Sequence, residues 1–225
     1  MAASIFITGR TDAVTQAADA LVRMERMYRP QIGFYDLTRK FYLLGRDRLI
    51  ATMPISPGDL VCEVGCGTGR NLALLARRDP TLHLFGLDAS AAMLERARMK
   101  SGAAFAHGLA EALDPAIDFG LTRPFDRVFF SYALSMVPDW RGAIARALTV
   151  VRPGGAVATV DFGDQRSWPR PAKQALRAWL ALFDVRPVDG LLPHLRGLEA
   201  SGLGHLESSA LAGGYAQLAI FRKNP

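Results

Sequence analysis

The run Glu63-Val64-Gly65-Cys66-Gly67-Thr68-Gly69 constrains this chain more than any other feature. It follows an apolar stretch from Leu60 to Val64 and precedes a helical pattern from Arg70 to Arg78. Glycines between a strand and a helix let the backbone turn tightly and approach a ligand that a Cβ would exclude. Dinucleotide-binding folds space such glycines as GxGxxG; here the third glycine of that pattern would fall at Arg70. The observed spacing is GxGxG, with an acid just before it. Asp88 closes the next apolar stretch, about 20 residues beyond the loop, where a carboxylate accepts the ribose hydroxyls of an adenosine.

From Leu60 onward the pattern alternates. Strands are predicted over 60–64, 83–87, 104–106, 127–131 and 156–162, with helices over 70–78, 90–99 and 140–148. A helix carrying Trp179, Leu180, Leu182 and Phe183 follows, then two strands, 205–210 and 215–222, around Gly213-Gly214. Alternation of this kind predicts an α/β fold: a seven-stranded, mostly parallel sheet with right-handed crossovers. The glycine turn predicts a C-terminal antiparallel hairpin. Upstream, a helix over 11–27 stops at Pro30 and a second runs over 31–52. The expectation is one domain: residues 1–53 as a helical cap on the substrate side of a core over 54–225. A chain of 225 residues suits a single core of that size.

Composition narrows the function classes. The net charge of +6 attracts anions, but there is no RNA-binding module, no long Lys/Arg run and no separate target-recognition domain, so nucleic acid is not expected as a partner. Cys62 and Cys66 both lie in or beside the glycine motif, which argues against a disulfide framework, and the histidines have no metal spacing. No apolar run approaches the roughly 18 residues of a membrane span, and Met1 to Arg10 does not read as a signal peptide. A cytoplasmic location is expected.

Further on, Gly108-Leu109-Ala110-Glu111 follows the third strand, Phe125-Asp126-Arg127-Val128 opens the fourth, and Leu148 to Gly155 leads to the fifth. This ordered set resembles the class I S-adenosylmethionine-dependent methyltransferase family over residues 58–163. The resemblance implies a Rossmann-like fold, S-adenosylmethionine as cofactor and S-adenosylhomocysteine as product. It places Glu63, Gly65, Gly67 and Gly69 at the amino acid part of the cofactor, Asp88 at the ribose, and Leu109 and Ala110 at the adenine. Cys66, Thr68, Ala89, Met93, Glu111, Ser131, Tyr35 and Arg39 complete the expected cofactor set. Tyr132 and Ser131, just after the fourth strand, are expected to face the transferable methyl group.

The acceptor is read from Tyr35-Asp36-Leu37-Thr38-Arg39-Lys40-Phe41-Tyr42-Leu43-Leu44-Gly45-Arg46-Asp47-Arg48. Tyr35, Arg39, Tyr42 and Arg46 recur at helical spacing, so one face would present tyrosines and arginines. Arginine grips carboxylate or phosphate through two hydrogen bonds. This segment looks like the methyltransferase of bacterial betaine-lipid synthesis, which implies three N-methylations of diacylglyceryl-homoserine, a peripheral site at the inner membrane surface, and a companion enzyme that makes the lipid. Expected catalytic residues are Tyr35, Tyr132 and Asp161; expected acceptor-binding residues are Arg39, Tyr42, Arg46, Tyr132 and Met136. Arg166, Arg170, Lys173 and Arg177, near Trp168, Trp179 and Phe183, suit a helix touching anionic headgroups. Phosphatidylethanolamine and a soluble small-molecule acceptor stay open as alternatives, as does a cofactor-binding regulator without activity.

Overall fold

The computed structural model describes residues 43–225. The expected N-terminal helix, and Tyr35, Arg39 and Tyr42, lie outside the described residues. Within them, seven strands form one sheet: β1 (Leu60–Val64), β2 (His83–Asp88), β3 (Ala104–His107), β4 (Phe125–Ser131), β5 (Val151–Phe162), β6 (Gly204–Leu211) and β7 (Ala216–Lys223). Their order is β3-β2-β1-β4-β5-β7-β6. The pairs β1–β2, β1–β4, β2–β3 and β4–β5 are parallel, and β7 runs antiparallel to both β5 and β6. The order reverses at β1, between β2 and β4, and open α/β sheets bind ligands outside the strand ends at such a point.

Helices cover both faces: α1 (Arg46–Thr52), α2 (Arg70–Arg78), α3 (Ala91–Arg98), α4 (Pro115–Phe119), α5 (Trp140–Val150), α6 (Arg170–Ala181) and α7 (Leu191–Ala200). Side chains alternate across the sheet because the strand period is two. Cys62, Val64, Val128 and Phe130 face one core with Ile144 and Leu148 of α5 and Leu195 of α7. Val61, Phe129 and Val160 face the other, with Leu49 of α1, Leu72 of α2, Leu94 of α3 and Leu180 of α6. All residues of β1 and β4 are buried, as in the centre of a parallel sheet, including the charged Glu63, Asp126 and Arg127. Among the described residues, no helix is long and apolar enough to cross a membrane.

Several elements depart from expectation, among them α4, for which no helix was expected. The helix predicted over 31–52 begins only at Arg46 in its described part, after Gly45 in a left-handed conformation, φ +88°. A Cβ on Gly45 would stand 2.4 Å from Leu211 Cδ1 and 3.2 Å from Val160 Cγ2, so Gly45 packs closely on β5 and β6 just before the described helix begins. Arg46 therefore does not continue an unbroken helical face from Tyr42. β5 starts at Val151 and carries Pro153-Gly154-Gly155 within it, next to an irregularity in its pairing with β4. Helix α7 had no clear signal because Pro193 and Gly197 interrupt its pattern; Pro193 stands in the first turn, where its missing N–H is harmless.

Candidate active site

A cleft opens at the carboxyl ends of β1, β2 and β4. Its floor is the glycine loop. Leu87 supplies the carbonyl that accepts from both Gly65 N (2.8 Å) and Cys66 N (3.1 Å), folding the loop back over β2. Gly65, Gly67 and Gly69 all have positive φ, +70°, +53° and +74°, a region that side chains with a Cβ rarely enter. The three then diverge. Gly65 and Gly67 line the cleft. A Cβ on Gly65 would stand 2.5 Å from that of Ala133, whereas a Cβ on Gly67 would meet nothing within 4 Å and would project into open space. Gly69 instead caps α2, and a Cβ on it would stand 3.0 Å from that of Ala97 in α3.

Asp88 ends β2 at the wall of the cleft. Its Oδ2 accepts from Gly67 N at 2.7 Å and its Oδ1 from Ser90 N at 2.9 Å. One carboxylate thus holds the glycine loop and the start of α3, where Ser90 caps the helix through Met93 N. Beside it, Ala89, Met93, Gly108, Leu109, Ala110 and Glu111 form the rest of that wall. His107 Nε2 lies 3.0 Å from the Ala89 carbonyl, and Gly108 N donates to that of Asp88. His107 is thereby a brace between two lining segments.

Opposite the glycine loop stand Tyr132, Ala133, Met136 and Val137. Tyr132 has a positive φ of +56°, uncommon for a bulky residue. It follows β4 directly; its N–H donates to Val160 O (2.7 Å) and its hydroxyl to Leu44 O (2.6 Å). Its ring meets that of Phe162 edge-on at 4.8 Å. Burial raises its pKa, with Asp161 adding to the effect, so the phenol stays a donor.

The other expected residues sit behind the cleft surface. Asp161 is 1% exposed, its oxygens accepting from Ser135 N (3.0 Å) and Phe162 N (2.8 Å). Burial pushes its pKa up to about 6 against those hydrogen bonds. Ser131 is buried, with its Oγ unpartnered. Cys66 and Thr68 are buried; Cys62 and Cys66 are free thiols, raised in pKa by burial. Glu63 lies beneath the loop, 2% exposed. Its Oε1 accepts from Asn71 Nδ2 at 2.6 Å, its Oε2 has no partner, and burial raises its pKa to about 8. Asn71 is a site residue that sequence reasoning passed over, although its place one residue past Arg70 in the helix start was visible.

Arg46 begins α1, two residues after the carbonyl that holds Tyr132. Burial pulls its pKa down, and Glu63 pulls it back up. The expected basic and aromatic surface on α6 divides. Arg177 is engaged by Gln165 (3.0 Å) and Asp189 (2.6 Å), and Trp168 donates to Ala212 O (2.9 Å). Trp179, Leu182 and Phe183 keep 39%, 78% and 39% of their surface exposed.

The residues fit the cofactor that the family resemblance implies. A cradle that only glycine leaves open at position 67, a carboxylate beside it and an apolar slot at Leu109 and Met93 match a ribose, an adenine and an amino acid chain.

Comparison with known proteins agrees. Residues 61–155 match the methyltransferase domain family model. The trans-aconitate 2-methyltransferase of Methylobacterium radiotolerans is 34% identical over 150 residues, 64% of this chain and 55% of that protein. The chain thus spans about half the length of the curated relatives it matches. Among solved structures, an S-adenosylmethionine-dependent methyltransferase of Thermotoga maritima, described as a possible histamine N-methyltransferase, superposes with a TM-score of 0.66 at 17% identity. That match covers 89% of this chain and all of the other. Phosphoethanolamine N-methyltransferase 2 of Haemonchus contortus, solved with S-adenosyl-L-methionine, gives a TM-score of 0.64 at 14% identity over 80% of this chain and 52% of its own. The sheet is the Rossmann-like methyltransferase fold.

Proposed function

We propose, on the premise that residues 61–155 are a methyltransferase domain, that this chain transfers a methyl group from S-adenosylmethionine to a small soluble acceptor bearing carboxylates. The observation that carries the transferase reading is the open cradle at Gly67 beside the Asp88 carboxylate. In this reading Gly65 and Gly67 take the amino acid part of the cofactor, Asp88 the ribose, and Met93, Leu109 and Ala110 the adenine. Glu63, Cys66, Thr68, Gly69 and Ser131 support the loop and strand ends from behind.

The acceptor class is supported by the relatives, several of which are trans-aconitate 2-methyltransferases. When bound, the cofactor supplies an electrophilic methyl group on a sulfonium. A carboxylate acceptor is already ionised at neutral pH and needs no base; an amine must first lose its proton. The cleft fits the simpler demand. Tyr132 is held as a donor to a backbone carbonyl, and Asp161 is occupied by two amides. Tyr132, Ala133, Met136 and Val137 then orient the acceptor and exclude water, which is where positioning contributes most.

The betaine-lipid reading drawn from the sequence is less well supported, because the relatives point to a soluble acid. One observation favours it as a second reading: Trp179 and Phe183, 5.2 Å apart, and Leu182 lie exposed at the end of α6, whose first residue, Arg170, is also exposed. Such a helix suits an anionic lipid surface, and with it go the peripheral location and the companion enzyme.

One assay separates the readings. With labelled S-adenosylmethionine, trans-aconitate and related soluble polycarboxylates are offered beside diacylglyceryl-homoserine and phosphatidylethanolamine in micelles. Label in the soluble acids alone is expected. Label in lipid alone replaces that acceptor class, and label nowhere with retained S-adenosylhomocysteine binding favours a non-catalytic role.

A further inference from the structure

Among the described residues, Arg46 is close to acids but is bonded to none of them. Its Nε is buried and has no hydrogen-bond partner. Its neighbour Asp47 is paired instead with Arg70, at 2.9 Å. Glu63, within electrostatic reach, makes no ion pair with it; one oxygen of Glu63 is taken by Asn71 and the other is orphaned. A guanidinium whose Nε is buried without an acceptor is costly in an isolated protein. It is retained without penalty where a ligand supplies the missing oxygens.

The surroundings fix where that ligand would sit. Gly45, packed on Leu211 and Val160, anchors the start of α1. Leu44, two residues before Arg46, holds the hydroxyl of Tyr132, whose ring lines the cleft. Glu63 immediately precedes Val64 and Gly65, which line it from the other side. Arg46 therefore stands behind the junction of the glycine loop and Tyr132.

We infer that Arg46 binds a ligand carboxylate at this junction of the cleft, through the two-pronged geometry that guanidinium offers. The inference rests on the proposed transferase reading for the carriers of that carboxylate, which are two: the amino acid end of the cofactor, or the acceptor.

The test uses the full chain with Arg46→Gln and Arg46→Lys. Calorimetry measures binding of S-adenosylhomocysteine and of 5′-methylthioadenosine, which lacks the carboxylate; initial rates give KM for trans-aconitate. If the cofactor is the carrier, Arg46→Gln weakens S-adenosylhomocysteine by about 10- to 100-fold while 5′-methylthioadenosine is unchanged. If the acceptor is the carrier, both nucleosides bind as before and KM rises by a similar factor. In either case Arg46→Lys retains part of the effect. Since Nε is unsatisfied in the free protein, Arg46→Gln unfolds at an unchanged or higher temperature. A lower melting temperature with unchanged affinities and KM makes Arg46 structural and overturns the inference. A wild-type chain that binds neither nucleoside overturns the transferase reading as well.

Discussion

Asp88 and Asp161 occupy equivalent places on opposite halves of the sheet, at the carboxyl ends of β2 and β5. Each accepts two backbone N–H groups. Their settings differ: Asp88 is 9% exposed and lines the cleft, whereas Asp161 is 1% exposed and lies behind it. On the β2 side the amides belong to a glycine loop and a helix start at the cleft. On the β5 side they belong to the 3₁₀ turn at Leu134–Met136 and to β5 itself, and the carboxylate is a strut. The same residue type at the same strand end thus lines a cleft or lies under its surface, according to whether the next loop leaves space above it. Glu63, at the end of β1 between them, has one oxygen braced and one orphaned.

The largest expected effect sharpens that contrast through pH. Burial raises Glu63 to about 8 and Asp161 to about 6. Between the ordinary carboxylate range and those values, the native state binds more protons than the unfolded one, so stability falls as pH rises. For Glu63 the contribution is fully present below about pH 4.5 and lost by about pH 8, on the order of 5 kcal/mol. Glu63→Gln keeps an acceptor for Asn71 and should flatten urea-unfolding stability across pH 5 to 8; an unchanged slope would place the proton elsewhere.

Next in size, Asp161→Ala leaves the Ser135 and Phe162 amides buried without an acceptor. It should cost about 2–4 kcal/mol of stability, measured by chemical denaturation. The affinity of the folded protein for S-adenosylhomocysteine should change less than about threefold. Asp88→Ala should do the reverse, weakening that ligand by about 10- to 100-fold in calorimetry for about 1 kcal/mol of stability. Equal losses of both kinds in the two variants would break the comparison. The smallest effect is at Gly67, where Gly67→Ala adds about 1–2 kcal/mol of left-handed strain and fills the cradle. Its signature is weaker nucleoside binding, while thermal melts move by only a few degrees.

That the glycine loop, Asp88 and the Leu109-Ala110 segment lie together at one cleft was legible, because a positive φ calls for glycine and strand ends meet where the strand order reverses. The acceptor side was less legible. The face expected from helical spacing at Tyr42 and Arg46 is interrupted at Gly45, whose packing partner Leu211 lies far along the chain. Asp161 and Ser131 were read from position alone, and position along a strand does not say whether its end is roofed. The spacing of Tyr132 after β4 was informative, but its hydroxyl bond to Leu44 was not.

What the sequence determined by itself is the order of elements, the parallel sheet with its closing antiparallel strand, and the residues that must be glycine or carboxylate at the reversal of strand order. These follow from periodicity and backbone sterics, which act over a few residues. Tertiary structure decided which strand-end carboxylate lines the cleft, why burial raises the pKa of Glu63, and why Arg46 Nε is buried without an acceptor. Burial and proximity set those properties, and both depend on segments distant in the chain coming together.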